Sequence, residues 1–277
     1  MEQGAPEPSC SNSENLSLSF LNRLSVFETV RAYGGVFFHL AEHWQRLEES
    51  CAGLGQHLPL EADAMSAWID EVLQASGYSD AMVRVSIHWD REGEGVIAAL
   101  VREFKSYPKE WYQAGVAMKT AVLRRPSLKA DNPQIKCSQY AGGVLATLDE
   151  SGQKAHELLF LGDGGYIAEG TVSNLFIIKK KRVLTPSVGS GILSGVTRAF
   201  VIELCRQRGL EVLETFFTRH EIYNADECFM TNTSSEILPV VKLDGRLIGP
   251  GLPGPVTKIL ADDFQRVRMQ TKGEIND

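Results

Sequence analysis

Two residues in the middle of the chain could act together on a carbonyl compound. Lys136 stands between Ile135 and Cys137, and burial at such a position would lower the pKa of its amine toward the neutral form that attacks an aldehyde. Glu169 ends an apolar stretch and precedes Gly170, so its carboxylate could keep a ring nitrogen protonated and strengthen an electron sink. Taken singly, Lys136 also fits a solvated lysine at a helix start, and Glu169 fits a turn residue.

Two further segments contain residue types that bind anions. Gly195, Val196 and Thr197 precede a helical pattern, and the free amides, the dipole and a threonine hydroxyl at a helix start can bind a phosphate. Hydroxyl and amide side chains fill residues 231–235 at the end of an apolar strand, where they could bind a phosphate or a carboxylate. The alternatives are a simple threonine cap and a polar hairpin turn.

The elements that must position these residues follow from periodicity. Apolar residues at helical spacing predict helices over 37–55 and 64–76, the second capped by Gly77, and further helices at 197–208, closed by Gly209, and at 255–268. Alternation predicts three strands in the first half, and short strands dominate the second half. The predicted strands are 83–87, 95–101, 116–123, 158–161, 166–169, 174–178, 183–185, 211–216, 227–231 and 237–243.

This order of elements predicts an α+β protein with two domains. We expect a disordered tail at 1–16, a smaller N-terminal α+β domain at 17–120, a linker at 121–133 and a larger C-terminal α/β domain at 134–277.

Composition excludes several classes of protein. The 277 residues are 43% hydrophobic and 23% charged, which is enough for a sizeable core, and 28 basic against 35 acidic residues give a net charge of −7. With basic residues scattered along the chain, a nucleic-acid partner is not expected. Five cysteines without paired spacing predict neither disulfides nor a metal site. No apolar run reaches the roughly 18 residues of a membrane helix, and the start lacks a signal peptide's pattern, so a cytoplasmic location is predicted.

Together, and in this order, the segments IKCSQYAGGVLA, GYIAEGTVSNLF, GILSGVTR and TNTSSEILPV resemble the class IV aminotransferases. These fold-type IV pyridoxal phosphate (PLP) enzymes include branched-chain aminotransferase, D-amino-acid aminotransferase and 4-amino-4-deoxychorismate lyase. The resemblance runs from about residue 25 to about residue 264. It implies a D-amino-acid aminotransferase-like fold with PLP between two domains, and a homodimer with pocket residues contributed across the interface.

The resemblance also implies a role for individual residues. Lys136 would form the Schiff base and act as the catalytic base, and Glu169 would pair with the ring nitrogen. The remaining residues implied at the cofactor are Arg46, Tyr140, Leu193, Val196, Thr197 and Thr233, and those implied near the substrate are Phe27, Arg84, Ser234 and Ser235. Arg46 has an alternative interpretation as part of a solvated helix face, where it would pair with Glu42, Glu49 or Ser50.

Departures from the family pattern keep several functions open. The family's usual first strand is not evident before residue 25, and the branched-chain "YIR" pattern is matched by Arg84 but not at Met82. The favoured function is transfer of an amino group between an amino acid, branched-chain-like or other, and a 2-oxo acid. The alternatives are aminodeoxychorismate lyase, which would release pyruvate and 4-aminobenzoate, and a non-catalytic PLP-binding relative.

Overall fold

The computed structural model describes residues 25–89, 94–128, 132–138 and 155–273. Within them the chain forms two β-sheets, each with helices packed against it. The predicted tail at 1–16 and the predicted cofactor residue Tyr140 lie outside the described residues.

The smaller sheet is antiparallel, with strand order β2-β1-β3-β4. Its strands are β1 (Ser25–Tyr33), β2 (Val36–Phe37), β3 (Ala81–Trp89) and β4 (Gly95–Glu103), and helices α1 (Leu40–Gly53) and α2 (Ala62–Ser76) cover one face. Because side chains alternate along a strand, Val83, Val85 and Ile87 are buried under the helices. The residues between them point to the opposite, more open face.

In the described residues the larger sheet has nine strands, with order β10-β9-β8-β11-β12-β5-β6-β7 and β13 paired to β12. Strand β5 is parallel to β6 and β12, and β9 is parallel to β10, whereas the other pairs are antiparallel. The strands are β5 (Val116–Thr120), β6 (Glu157–Leu161), β7 (Ile167–Gly170), β8 (Asn174–Lys179), β9 (Arg182–Pro186), β10 (Val212–Thr215), β11 (Glu227–Asn232), β12 (Glu236–Leu243) and β13 (Arg246–Leu247).

Among the described residues, four helices flank the larger sheet: α3 (Lys109–Ala114), α4 (Val196–Gln207), α5 (Arg219–Tyr223) and α6 (Pro255–Gly273). Helices α4 and α6 pack on one face, in a core that includes Phe176 and Phe229. Helices α3 and α5 pack on the other face. The larger sheet is therefore the middle layer of three.

The predicted two-domain mixed fold is confirmed. The four longest helices of the described residues were all predicted. Gly77 and Gly209 follow their helices with φ of 72° and 69°, the left-handed conformation in which glycine carries no steric penalty. Strand β5 pairs in the larger sheet, although the expected boundary at residue 120 groups it with the N-terminal domain. The exact domain boundaries remain a prediction.

A short segment that carries Lys136 joins the edge of the smaller sheet. The amide of Phe27 donates to the Lys136 carbonyl over 3.0 Å, and the amide of Ser138 donates to the Ser25 carbonyl over 2.8 Å. Cys137 forms an antiparallel bridge with Val26. These bonds place Lys136 beside β1, the strand that also contacts α1.

Two further findings concern the described residues only. No helix there is long and apolar enough to cross a membrane. In the same part of the chain, no group of histidine, cysteine, aspartate and glutamate residues is arranged to hold a metal ion.

Candidate active site

One cavity of about 470 Å³ brings the two sheets together. Its walls come from the open face of the smaller sheet, the Lys136 segment, the turn after β7, the start of α4 and the turn after β11. Predicted site residues that line it are Phe27, Arg46, Arg84, Lys136, Glu169, Leu193, Val196, Thr197, Thr233 and Ser234. Ser235 is buried and does not line the cavity. Two open clefts beside Arg219 have similar volumes, but among the described residues no lysine lines either of them.

The amine of Lys136 is a nucleophile that lines this cavity. The residue as a whole is half-buried, but its amine end is enclosed, and burial lowers the pKa of Lys136 to about 8. The carboxylate of Glu28 raises this pKa, whereas the guanidinium groups of Arg46 and Arg84 lower it. A neutral amine is therefore well populated at mildly alkaline pH, as nucleophilic attack requires.

Two cations share the aromatic ring of Phe27. Lys136 Nζ lies 4.9 Å from the ring centroid, and the guanidinium carbon of Arg84 lies 3.5 Å from it. Arg84 also donates from Nη2 to Ser138 Oγ over 3.1 Å. Phe27, Thr29 and Arg84 all face the open side of the smaller sheet, because they occupy alternate positions of paired strands.

Glu169 is held on both carboxylate oxygens. Oε1 forms an ion pair with Arg125 Nη2. Oε2 accepts from Asn174 Nδ2 over 3.1 Å and from the amide of Leu193 over 3.0 Å. Glu169 is 4% exposed, so these bonds fix the direction in which its carboxylate faces the cavity.

Anion-binding groups gather at the start of α4. Gly195 is the N-cap, and Val196 and Thr197 begin the helix and line the cavity. A side chain at Gly195 would have its Cβ 2.1 Å from Asn174 Oδ1, so any other residue here would force Asn174 to move. Arg46 reaches the same place from α1 and donates from Nη1 to the Ser194 carbonyl over 2.9 Å. Its guanidinium does not pair with solvated helix neighbours, since Arg46 is buried and bonds to Glu28.

The turn at residues 231–235 is organised by one side chain. Asn232 Oδ1 accepts from the amides of Ser234 and Ser235 over 3.0 and 2.7 Å, and from their hydroxyls over 3.0 and 2.9 Å. The donors of these two serines are thus engaged within the turn. Thr231 Oγ1, in contrast, is buried without a partner in the described part of the chain and belongs to a residue that lines the cavity.

Comparisons with known proteins agree with this geometry. The family model described as "Amino-transferase class IV" matches residues 25–243. The chain belongs to the class IV aminotransferase family. It is 31% identical over 251 residues to a branched-chain-amino-acid aminotransferase of Pseudomonas aeruginosa, covering 86% of this chain and 81% of that protein. It is 32% identical over 241 residues to a D-alanine aminotransferase of Bacillus licheniformis, covering 84% and 83%.

A solved structure of an aminotransferase has the same fold as this chain. The branched-chain aminotransferase of Thermoproteus uzoniensis with norvaline superposes with a TM-score of 0.85 at 28% identity, and the alignment covers 94% of this chain and 90% of that one. The predicted family and the predicted aminotransferase activity are confirmed. The lyase alternative is not favoured.

The residues present fit PLP, the cofactor of class IV aminotransferases. An enclosed amine with a lowered pKa, a fixed carboxylate and a set of anion donors line one cavity, and Gly195 leaves the helix start open. These are the groups that an aldehyde, a ring nitrogen and a phosphate need.

Several residues of the site had not been singled out from the sequence. Glu28, Gln134, Arg125 and Asn174 each bond to a predicted site residue or to the backbone beside one. A signal for Glu28 did exist, because this carboxylate alternates in phase with Val26 and Val30 on the inward side of β1.

Proposed function

We propose that this aminotransferase holds PLP in the cavity and moves an amino group between an amino acid and a 2-oxo acid. The observation that carries the proposal is the enclosed Lys136 amine, with a pKa of about 8, in the same cavity as the fixed Glu169 carboxylate and the start of α4. When bound, PLP supplies an aldehyde that condenses with amines and a ring that accepts the electrons released at the substrate Cα.

The cofactor would be held by groups from both sheets. Arg46, Val196, Thr197 and Thr233 would bind the phosphate, since an arginine and a helix start favour a dianion. Glu169 would keep the ring nitrogen protonated. Leu193 would pack on the ring, and Tyr140, outside the described residues, is proposed beside it.

Lys136 would then move protons. Once its Nζ is free, the neutral amine would accept the proton of the substrate Cα as a general base. The protonated amine would then donate that proton later in the transfer as a general acid, with a pKa near the working pH. Phe27 beneath the amine limits where Nζ can lie. Lys136 Nζ would thereby stay within the cavity during the transfer.

We propose amino acids with apolar side chains as substrates. Phe27 and Met82 give the substrate side of the cavity an apolar lining, and Arg84 beside them offers a cation for a carboxylate. Relatives are named for branched-chain amino acids and for D-alanine, which supports small apolar substrates of either stereochemistry. Ser234 and Ser235 are proposed near the substrate carboxylate, where Asn232 fixes their turn.

We further propose a cytoplasmic homodimer. Val96 and Leu100 are 57% and 49% exposed, on the open face of the smaller sheet that also carries Arg84. Apolar side chains of this exposure next to a cavity favour a covering partner. The cytoplasmic location rests on the sequence pattern.

Borohydride reduction of the PLP-loaded protein tests the proposal. We expect the reduced pyridoxyl group on Lys136 and none on any other lysine after peptide mapping. Lys136→Ala should lose turnover and the visible absorbance, whereas Lys119→Ala, which changes a half-buried lysine on β5 outside the cavity, should keep both. A screen of L- and D-amino acids, followed at the cofactor's absorbance, would then identify the donor. A label on a different lysine, or a colourless wild-type protein, would refute the assignment.

A further inference from the structure

A buried ion pair stands behind Arg46. Arg46 Nε donates to Glu28 Oε1 and Nη2 donates to Glu28 Oε2, both over 2.7 Å, so the carboxylate and guanidinium form a two-pronged pair. His43 Nδ1 lies 2.7 Å from the same Oε2. Glu28 has no exposed surface; burial alone would raise the pKa of its carboxyl, but the Arg46 guanidinium holds that pKa well below its usual range. Water therefore does not compete for this pair.

A second contact holds Arg46 from the side of the cavity. Arg46 Nη1 donates to the Ser194 carbonyl over 2.9 Å. Ser194 is in turn held by Gln134, whose Oε1 accepts from the Ser194 hydroxyl over 2.7 Å and from its amide over 3.3 Å. Gln134 Nε2 donates to the Ile192 carbonyl. Gln134 thus fixes both ends of the short segment that presents its carbonyl to Arg46.

These contacts use only some of the N–H groups of the Arg46 guanidinium. Arginine has five N–H groups; Glu28 and Ser194 use three of them, so within the described residues two are left on the terminal nitrogens of a residue that lines the cavity. We infer that Glu28 and Gln134 are positioning residues that aim these two N–H groups of Arg46 at the phosphate of the cofactor. This inference rests on the proposed function, in which Arg46 binds that phosphate.

The arrangement also has an electrostatic consequence. Arg46 without Glu28 would be a buried cation without a counter-charge, which is costly in a protein interior. With Glu28 in place the guanidinium is already neutralised and held, so a phosphate meets a fixed hydrogen-bonding surface that loses little freedom on binding. The effect of Gln134 should therefore appear in contacts to the phosphate alone, whereas Glu28 also raises the pKa of the Lys136 amine.

Pyridoxal lacks the phosphate. A comparison of its affinity with that of PLP therefore distinguishes a loss of phosphate contacts from general damage to the fold. Gln134→Ala should weaken PLP binding while leaving the weaker binding of pyridoxal unchanged within about twofold. Glu28→Gln should weaken PLP binding more than pyridoxal binding, which it also changes because Glu28 raises the pKa of Lys136. For Gln134→Ala, whose bonds to Ser194 are exposed to solvent, we expect a loss of about three- to tenfold in PLP affinity, or roughly 0.7–1.4 kcal/mol at 1.4 kcal/mol per factor of ten. Glu28→Gln should lose more, about ten- to hundredfold, since a charge-assisted pair is broken.

Titrations of both ligands, followed by absorbance and by quenching of tryptophan fluorescence, measure these affinities. Gln45→Ala is the matched control, because Gln45 is an exposed neighbour on α1 whose side chain bonds to Glu49 and does not line the cavity, and it should bind both ligands as the parent does. In an Arg46→Ala background, Gln134→Ala should have no further effect on PLP affinity. If Glu28→Gln does not fold, as circular dichroism would reveal, Gln134→Ala decides alone.

Three results would overturn the inference: equal loss of PLP and pyridoxal affinity, no loss of either, or additive losses in the double variant. Each of these requires a wild-type protein that binds PLP. A wild-type protein that binds neither ligand contradicts the proposed function instead, so the two failures are distinguishable.

Discussion

The Lys136 amine depends on charges that lie on different elements. Burial sets its pKa near 8, Arg84 on β3 and Arg46 on α1 lower it, and Glu28 on β1 raises it. Arg84 acts across the ring of Phe27, on which both cations lie. The fraction of neutral amine at a given pH is therefore adjustable from a neighbouring strand without any change at Lys136.

Arg84→Gln should raise the pKa of the Lys136 amine, because one nearby positive charge is removed. Reaction of the cofactor-free protein with PLP needs the neutral amine, so its rate should rise with pH and level off above the pKa. In the variant this midpoint should move to higher pH, which makes the reaction slower than the parent's at pH 7. Stopped-flow absorbance from pH 6 to 9 measures the midpoint. Arg102→Gln, an exposed arginine on β4, serves as the control, and a variant midpoint equal to or below the parent's contradicts the argument.

At the scale of the element, helix α4 begins where three parts of the site converge. Asn174 Nδ2 donates both to Glu169 Oε2 and to the Leu193 carbonyl, over 3.1 and 3.0 Å. Asn174 Oδ1 in turn lies against Gly195. The N-terminus of α4 and the carboxylate of Glu169 are consequently not independent, since one asparagine contacts both.

Gly195→Ala should disturb both the N-terminus of α4 and the carboxylate of Glu169. The new Cβ would lie 2.1 Å from Asn174 Oδ1, so Asn174 must move and Glu169 must lose part of its support. We expect a loss of about 1–3 kcal/mol in the free energy of unfolding, typical of overpacking, together with reduced turnover. Urea denaturation and steady-state kinetics measure the two effects. In the control Gly164→Ala, the new methyl meets the ring of Tyr166 at 3.1 Å; equal stability of the two variants would contradict the prediction.

The elements themselves were largely predictable, and the exceptions have physical causes. Helices α1 and α2 follow from the spacing of apolar residues such as Trp44 and Leu47 in α1 and Ile69 in α2, which form a buried helix face. Helix α3 has six residues and no buried side chain, so it leaves no periodic pattern. Lys136 and Glu169 were found through their segments. Gln134 and Asn174 were not, because their roles depend on tertiary contacts, such as the one 60 positions along the chain from Gln134 to Ser194, that spacing does not encode.

At the scale of the whole molecule, the open face of the smaller sheet is both a cavity wall and an exposed surface. Leu100 lies directly opposite Arg84 in the pairing of β4 with β3, and His88 is opposite Val96. The cavity thus continues onto a partly apolar surface. A second copy of the chain placed on this surface would lie beside the substrate end of the cavity. Formation of the dimer would then affect how substrates enter the cavity.

Leu100→Glu should therefore convert the proposed dimer to a monomer. Burying a charged carboxylate in an apolar interface is unfavourable, because it loses its hydration without gaining a hydrogen-bond partner. We therefore expect the affinity of the dimer to fall by at least about a hundredfold, or roughly 2.8 kcal/mol. Sedimentation velocity measures the change. Leu252→Glu is the control, since Leu252 is 61% exposed and lies after β13, on the larger part of the molecule. A wild-type monomer, or a Leu100→Glu dimer as tight as the parent's, contradicts the proposal.

Strand β1 places neighbouring residues on opposite sides of the sheet: Phe27 and Thr29 line the cavity, while Glu28 between them is buried against Arg46. Evolution can therefore alter the two sides separately. Under the proposed function, replacement of Phe27 or Thr29 should change which substrates are accepted and leave the binding of the phosphate by Arg46 intact. Insertion or deletion of one residue exchanges the two sides, so lineages that diversify this enzyme are expected to accumulate substitutions in β1 but no changes in its length.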